Sequence, residues 1–189
     1  MNSHILLPHG ISAQDALLII DMQNDFMPGG ALPVPGGHDL LHAINGLSHL
    51  NFRAVVASQD WHPMGHCSFK EQNGPWPAHC IAGTDGAAMV EGLDQRRITH
   101  IIRKGTATDA DSNSAFRDDS GRSTGLTDLL NGLGVTRVFL CGVALDVCVL
   151  ASARHAVRAG FETFIIQQAS AGIRPPSASS LLEESIKLV

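Results

Sequence analysis

The residue with the most pointed chemistry in this chain is Cys148, and its setting can be read from the residues around it. It closes the stretch Arg137–Cys148, in which Val138–Cys141 is apolar and Gly142 breaks the run. Val149, Leu150, Ala153, Ala156 and Val157 then recur at helical spacing until Gly160. This pattern predicts a buried strand followed by a helix whose first turn carries Cys148. Unpaired N–H groups and the positive end of the helix dipole are expected there to lower the thiol pKa and to receive an oxyanion. A thiol without partners is simply a small core side chain, so its chemistry depends on what else reaches the same place.

Two other strand ends supply partners. Ala16–Ile20 is a continuous apolar run ending at Asp21, where a carboxylate is costly unless paired, which marks it as an acid/base group. Asp25, four residues on, suits a loop-bracing role. Ile98–Ile102 reads as a third strand and delivers Lys104. A carboxylate, an ammonium and a thiol at strand carboxyl ends form a nucleophilic set in which Asp21 takes the thiol proton and Lys104 stabilises negative charge. A second group follows the strand Arg53–Ala57. Asp60 and His62 have the i, i+2 spacing that puts both side chains on one side of an extended segment, with His66 and His79 downstream. One Asp and two or three His in Pro-braced, Trp-flanked loops suit a borderline divalent metal with open water positions, whether zinc, iron or manganese.

The elements that must position these groups alternate strand and helix. Leu40, Leu41, Ile44 and Leu47 mark an amphipathic helix, Leu126, Leu129, Leu130 and Leu133 another, and Ser177–Glu184 a short one. Phe161–Ile166 and Ile186–Val189 complete six strands, while Thr106–Ser120 is a polar loop with Phe116 as its large apolar group. The expectation is one α/β domain over 1–189, with a mostly parallel, roughly six-stranded sheet in three α/β/α layers. Of the 189 residues 44% are hydrophobic and 16% charged, as in a globular chain. A net charge of −5 without a basic cluster argues against nucleic acid or acidic membrane surfaces. Met1–His4 shows no charged leader region, and no apolar run reaches membrane-spanning length. Four cysteines without a Cys-x-x-Cys pair point to a reduced, cytoplasmic protein, and a homo-oligomer is compatible with the sequence.

From about Ala16 onward the sequence resembles the nicotinamidases (pyrazinamidases) of the isochorismatase-like cysteine hydrolase superfamily. The resemblance rests on Asp21-Met22-Gln23-Asn24-Asp25-Phe26, Asp60-Trp61-His62-Pro63, Trp76-Pro77-Ala78-His79-Cys80, Lys104-Gly105 and Gly142–Cys148. It implies that fold, Asp21 as base, Lys104 as electrostatic partner and Cys148 as nucleophile. It implies Asp60, His62 and His79 as ligands of one divalent metal, zinc before iron or manganese, with His66 as a less regular further ligand. Phe26 and Trp76 match the aromatic walls around a pyridine ring. The N–H groups of Ala144 and Cys148 match an oxyanion hole beside a cis Val143–Ala144 peptide. The implied reaction is hydrolysis of nicotinamide, and also pyrazinamide, through a Cys thioester, with the metal anchoring the ring nitrogen and helping to position water. Leu145, Asn113 and Gln167-Gln168 depart from the usual pattern. The rivals are a related amidase on a carbamoyl or maleamate substrate, and a non-catalytic metal or thiol sensor on the same fold.

Overall fold

The computed structural model describes residue 7 and residues 10–189. The reading of a missing leader at Met1–His4 falls outside them. Six parallel strands form one sheet in the order β3-β2-β1-β4-β5-β6. They are β1 (Asp15–Ile20), β2 (Ala54–Asp60), β3 (His100–Lys104), β4 (Arg137–Gly142), β5 (Glu162–Ser170) and β6 (Ile186–Leu188). The helices are α1 (Leu41–Ser48), α2 (Leu126–Gly132), α3 (Leu150–Arg158) and α4 (Ala178–Glu183).

Alternate side chains of the strands feed two cores. Leu18, Ile20, Val56 and Leu140 pack with α2, α3 and α4 through Leu130, Ala153 and Leu181. Leu17, Ile19, Val55 and Phe139 pack on the other face with α1, through Ile44 and Leu47, and with loop residues such as Phe26 and Val34. The continuous apolar runs of β1 and β4 are therefore the mark of strands buried on both faces. After β1 the chain builds outward through β2 and β3, then returns to lay β4 against the other side of β1. Asp21 and the segment after β4 thus flank a topological switch point, the place where parallel sheets open a crevice.

The elements differ from the sequence expectation in instructive ways. β2 continues through Asp60, because Gln23 holds the otherwise polar strand end by accepting from the Asp60 N–H and donating to its carbonyl. β3 begins two residues later than expected, after a turn at Gln95–Arg97 that Asp94 caps. As an edge strand it alternates, leaving Ile101 half exposed. The β2–β3 crossover carries short 3-10 turns and no α-helix; its Pro- and Gly-rich loops carry His62, His66 and His79 instead.

At the opposite end of β1 from Asp21, buried Asp15 makes a two-pronged ion pair with Arg137 at 2.6 and 2.7 Å. Burial works to raise the Asp15 pKa, but Arg137 and the Ser12 N–H outweigh it and hold it below its ordinary value. Asp15→Asn should lower the melting temperature at pH 7 by about 5 °C without altering kcat/KM. A carboxyl with a depressed folded pKa stabilises fully above its unfolded value of about 3.9 and loses that effect as pH falls through the folded value. Melting curves from pH 7 to pH 3 should therefore show the variant and the parent converging at the acid end.

Candidate active site

Lys104 is the hub of the site. It ends β3 directly opposite Asp60 in the sheet register, and its side chain is fully buried. Its ammonium lies 2.5 Å from Asp60 Oδ1, 3.0 Å from the Ser112 carbonyl, 3.6 Å from Cys148 Sγ and 2.9 Å from Asp21 Oδ2. An ammonium has three protons for these four neighbours. Asp60 and Ser112 accept from it, Asp21 Oδ2 is ion-paired with it at 2.9 Å, and Cys148 Sγ is the most distant of the four. The other Asp21 oxygen accepts from Ser58 Oγ at 2.6 Å. Asp21 is thus oriented by Ser58 on one oxygen and by Lys104 on the other, within 4.8 Å of the Cys148 thiol. Its backbone has φ +49°, a left-handed conformation that Asp tolerates better than most residues and that aims it off the end of β1.

Cys148 sits in a π-helical turn, Leu145–Val149, that leads into α3. The wide turn presents the thiol at the pocket floor instead of inside an ordinary first turn. The expectation of a lowered thiol pKa does not hold. Burial pushes the Cys148 thiol well above its usual value, and Asp21 and Asp60 add to that against the opposing pull of Lys104. Burial also raises Asp21 against Lys104. Burial disfavours the Lys104 ammonium, yet Asp21, Asp60 and Cys148 around it outweigh that and raise it strongly. Low dielectric outweighs the helix terminus in setting the direction of that shift. The Val143–Ala144 peptide is cis, as the resemblance implied.

Beside Lys104, the second Asp60 oxygen faces His62 Nε2 at 3.5 Å and His79 Nε2 at 3.9 Å. One ligand atom from each of Asp60, His62 and His79 lies within 4.8 Å of the others. His62 Nδ1 lies 3.0 Å from the Gly105 carbonyl and His79 Nδ1 2.8 Å from the Pro77 carbonyl. Donation there assigns the proton to Nδ1 in both rings and leaves Nε2 with a free lone pair, the tautomer of a metal ligand. His62 Nε2 is buried without a hydrogen-bond partner, and Asp21 and Asp60 bring two carboxyls against one ammonium. The donor set therefore fits a divalent cation. His62 can lie here because residue 105 is glycine at φ +62°, where a Cβ would come within 2.4 Å of the ring.

His66 stacks on His62 with ring centroids 4.1 Å apart, and its nitrogens are engaged by Ser68 Oγ and the Ala110 carbonyl. It therefore stands behind the Asp60–His62–His79 set, although with His62 and Asp111 it makes a second close group. Asp25 braces the loops, accepting from Cys80 N and Ala31 N.

The pocket encloses about 510 Å³ including its mouth. Cys148, Ala144, Asp60 and His79 line its inner end, with Phe26, Trp76, Leu32, Val34 and Ile173 among its apolar walls. Asn113 also lines it, whereas Gln167 and Gln168 are exposed. Sequence reasoning missed Gln23, Ser58 and Phe69, whose ring packs 5.6–5.7 Å from His62, His66 and His79. No spacing signals them, since each acts across segments distant in sequence.

The chain is an amidohydrolase by its relatives, built on a parallel α/β sheet that gathers a thiol, a carboxyl and an ammonium beside its switch point. The chain belongs to the isochorismatase family, whose Isochorismatase domain model matches residues 15–185. A nicotinamidase of Acinetobacter baylyi is 38% identical over 84% of this chain and 81% of its own. A nicotinamidase/pyrazinamidase of Mycobacterium tuberculosis is 37% identical over 92% and 97%. Among solved structures, PnC1 from L. infantum in complex with nicotinate superposes with a TM-score of 0.93 at 45% identity, covering 97% of this chain and 96% of that one. Pyrazinamidase of Pyrococcus horikoshii in complex with zinc does so with 0.80 at 41%, covering 93% and 98%.

His62→Ala and His79→Ala should each lose bound divalent metal while far-UV circular dichroism stays unchanged, and Cys148→Ala should keep it. Metal content after gel filtration, by plasma emission, is the measurement. Stoichiometric metal in both His variants would disqualify this donor set.

Proposed function

We propose that this protein hydrolyses nicotinamide to nicotinate and ammonia, and pyrazinamide likewise, with Cys148 as nucleophile. The observation that carries the reading is the Asp21 carboxyl, paired with Lys104 and within 4.8 Å of the Cys148 thiol, at the floor of a pocket walled by Phe26 and Trp76. The nicotinamidases similar to this chain support the choice of amide.

Phe26 and Trp76 take the two faces of the flat ring, for which offset stacking is favourable. The protonated thiol gives its proton to Asp21 as sulfur attacks the carboxamide carbon, so charge appears only when substrate is in place. Lys104 offsets the negative charge of that step, and the N–H groups of Ala144 and Cys148 receive the oxyanion. Asp21 passes the proton to the leaving ammonia, then takes one from the water that opens the thioester. Asp60, His62 and His79 would hold a divalent metal, zinc before iron or manganese, which would supply Lewis-acid chemistry for anchoring the ring nitrogen and for positioning water. We place the protein in the cytoplasm, a reading supported by four free cysteines.

Asp21→Asn should lower kcat by at least about 100-fold and Cys148→Ala should abolish ammonia release. The double variant should be no worse than Cys148→Ala, because groups acting as a unit are not additive. Near-normal turnover by Asp21→Asn would remove it as the base. Wild-type protein that binds metal yet frees no ammonia from any amide would instead favour the sensor reading.

Benzamide keeps the ring and amide but lacks the ring nitrogen, so its kcat/KM should fall far below that of nicotinamide and pyrazinamide. His79→Ala should shrink that gap. Equal kcat/KM for benzamide and nicotinamide in metal-loaded enzyme would refute ring anchoring.

A further inference from the structure

The segment after β5 is bolted to the turn that carries Cys148. Asp146 accepts from two successive backbone N–H groups of that segment, Ile173 at 3.1 Å and Arg174 at 2.7 Å, one on each carboxylate oxygen. Leu145 N donates to the Ala171 carbonyl at 2.7 Å, and Ala171 N to the Gly142 carbonyl at 3.1 Å. The two strands of chain touch so closely that a Cβ on Gly172 would stand 2.4 Å from Asp146 Oδ1. Ile173, placed by this clamp, is 61% exposed and lines the same pocket as Cys148. A single exposed aliphatic residue needs no explanation in general. Here, however, the backbone beneath it is fixed by a carboxylate, and Phe26 and Leu32 line the same pocket.

We propose that Ile173 is a specificity-determining residue and Asp146 its positioning residue: the carboxylate clamps residues 171–174 over the pocket mouth so that Ile173 covers the apolar surface of the bound aromatic amide. The proposal deepens the nicotinamidase reading and rests on it for the identity of the substrate. Covering by Ile173 would be lost equally whether the side chain is cut back or its backbone is released. It also predicts a preference for flat rings, since a bulky substituent would meet the lip.

The test compares Ile173→Ala, Asp146→Ala, Gly172→Ala and the Ile173→Ala/Asp146→Ala double variant. Each single change should raise KM for nicotinamide about fivefold with kcat within about twofold, the size expected for partial loss of one aliphatic contact. The double variant should match Ile173→Ala, because both changes remove one lip, and Ile173→Leu should restore KM. Gly172→Ala keeps the test alive if Asp146→Ala fails to fold. An unchanged KM in Ile173→Ala, or a tenfold loss of kcat at constant KM in Asp146→Ala, would overturn the proposal; the latter would mean that Asp146 serves the Cys148 turn alone. Alkylation of Cys148 by N-ethylmaleimide, followed by peptide mass spectrometry, gives a readout independent of substrate. It should be several-fold faster in Ile173→Ala and Gly172→Ala, and equal rates would also overturn the lip. If the unaltered enzyme frees no ammonia from nicotinamide, the substrate reading fails while the alkylation rates still decide whether Ile173 covers Cys148.

Discussion

A fully buried ammonium between two carboxyls is the constraint on which this molecule depends. Lys104 has no exposed surface, so its charge is tolerable only because Asp21 and Asp60 stand within 2.9 Å of it. Those carboxyls in turn would repel each other in a low-dielectric interior without it. The sheet meets this demand by its register, which puts Lys104 opposite Asp60 at the carboxyl ends of β3 and β2. The loop after β3 then returns to place the Ser112 carbonyl on the same ammonium, so the polar stretch from 106 to 120 is held down by the charge it covers.

The same charge arrangement joins two chemical groups that would otherwise be separate. Asp60 uses one oxygen for Lys104 and turns the other to His62 and His79. Asp21 uses one oxygen for Ser58 and turns the other to Lys104, close to Cys148. Lys104 therefore links the thiol side of the pocket to the metal-fitting side through a single buried atom.

The thiol illustrates how competing effects are settled by magnitude. A helix terminus and a nearby ammonium both favour thiolate, yet complete burial with two carboxyls nearby favours the thiol more strongly.

The sequence alone determined a good deal: the apolar runs Ala16–Ile20 and Val138–Cys141 as strands buried on both faces, the parallel sheet, and Asp21, Lys104 and Cys148 at strand ends. These follow from local composition and period, because side-chain alternation and turn residues are short-range properties. Asp60 and His62 were legible as a pair for the same reason. Tertiary structure alone decided the rest. The Lys104 ammonium gathers Asp21, Asp60, Ser112 and Cys148 from four separate segments. His62 and His79 hold their Nε2 lone pairs inward only through carbonyls brought by Gly105 and Pro77. The raised thiol pKa, the support of Gln23 and Phe69, and the clamp between Asp146 and the segment at 171–174 likewise depend on burial and on contacts between distant segments. Dielectric environment and hydrogen-bond allocation are properties of the packed chain, and no spacing of residues encodes them.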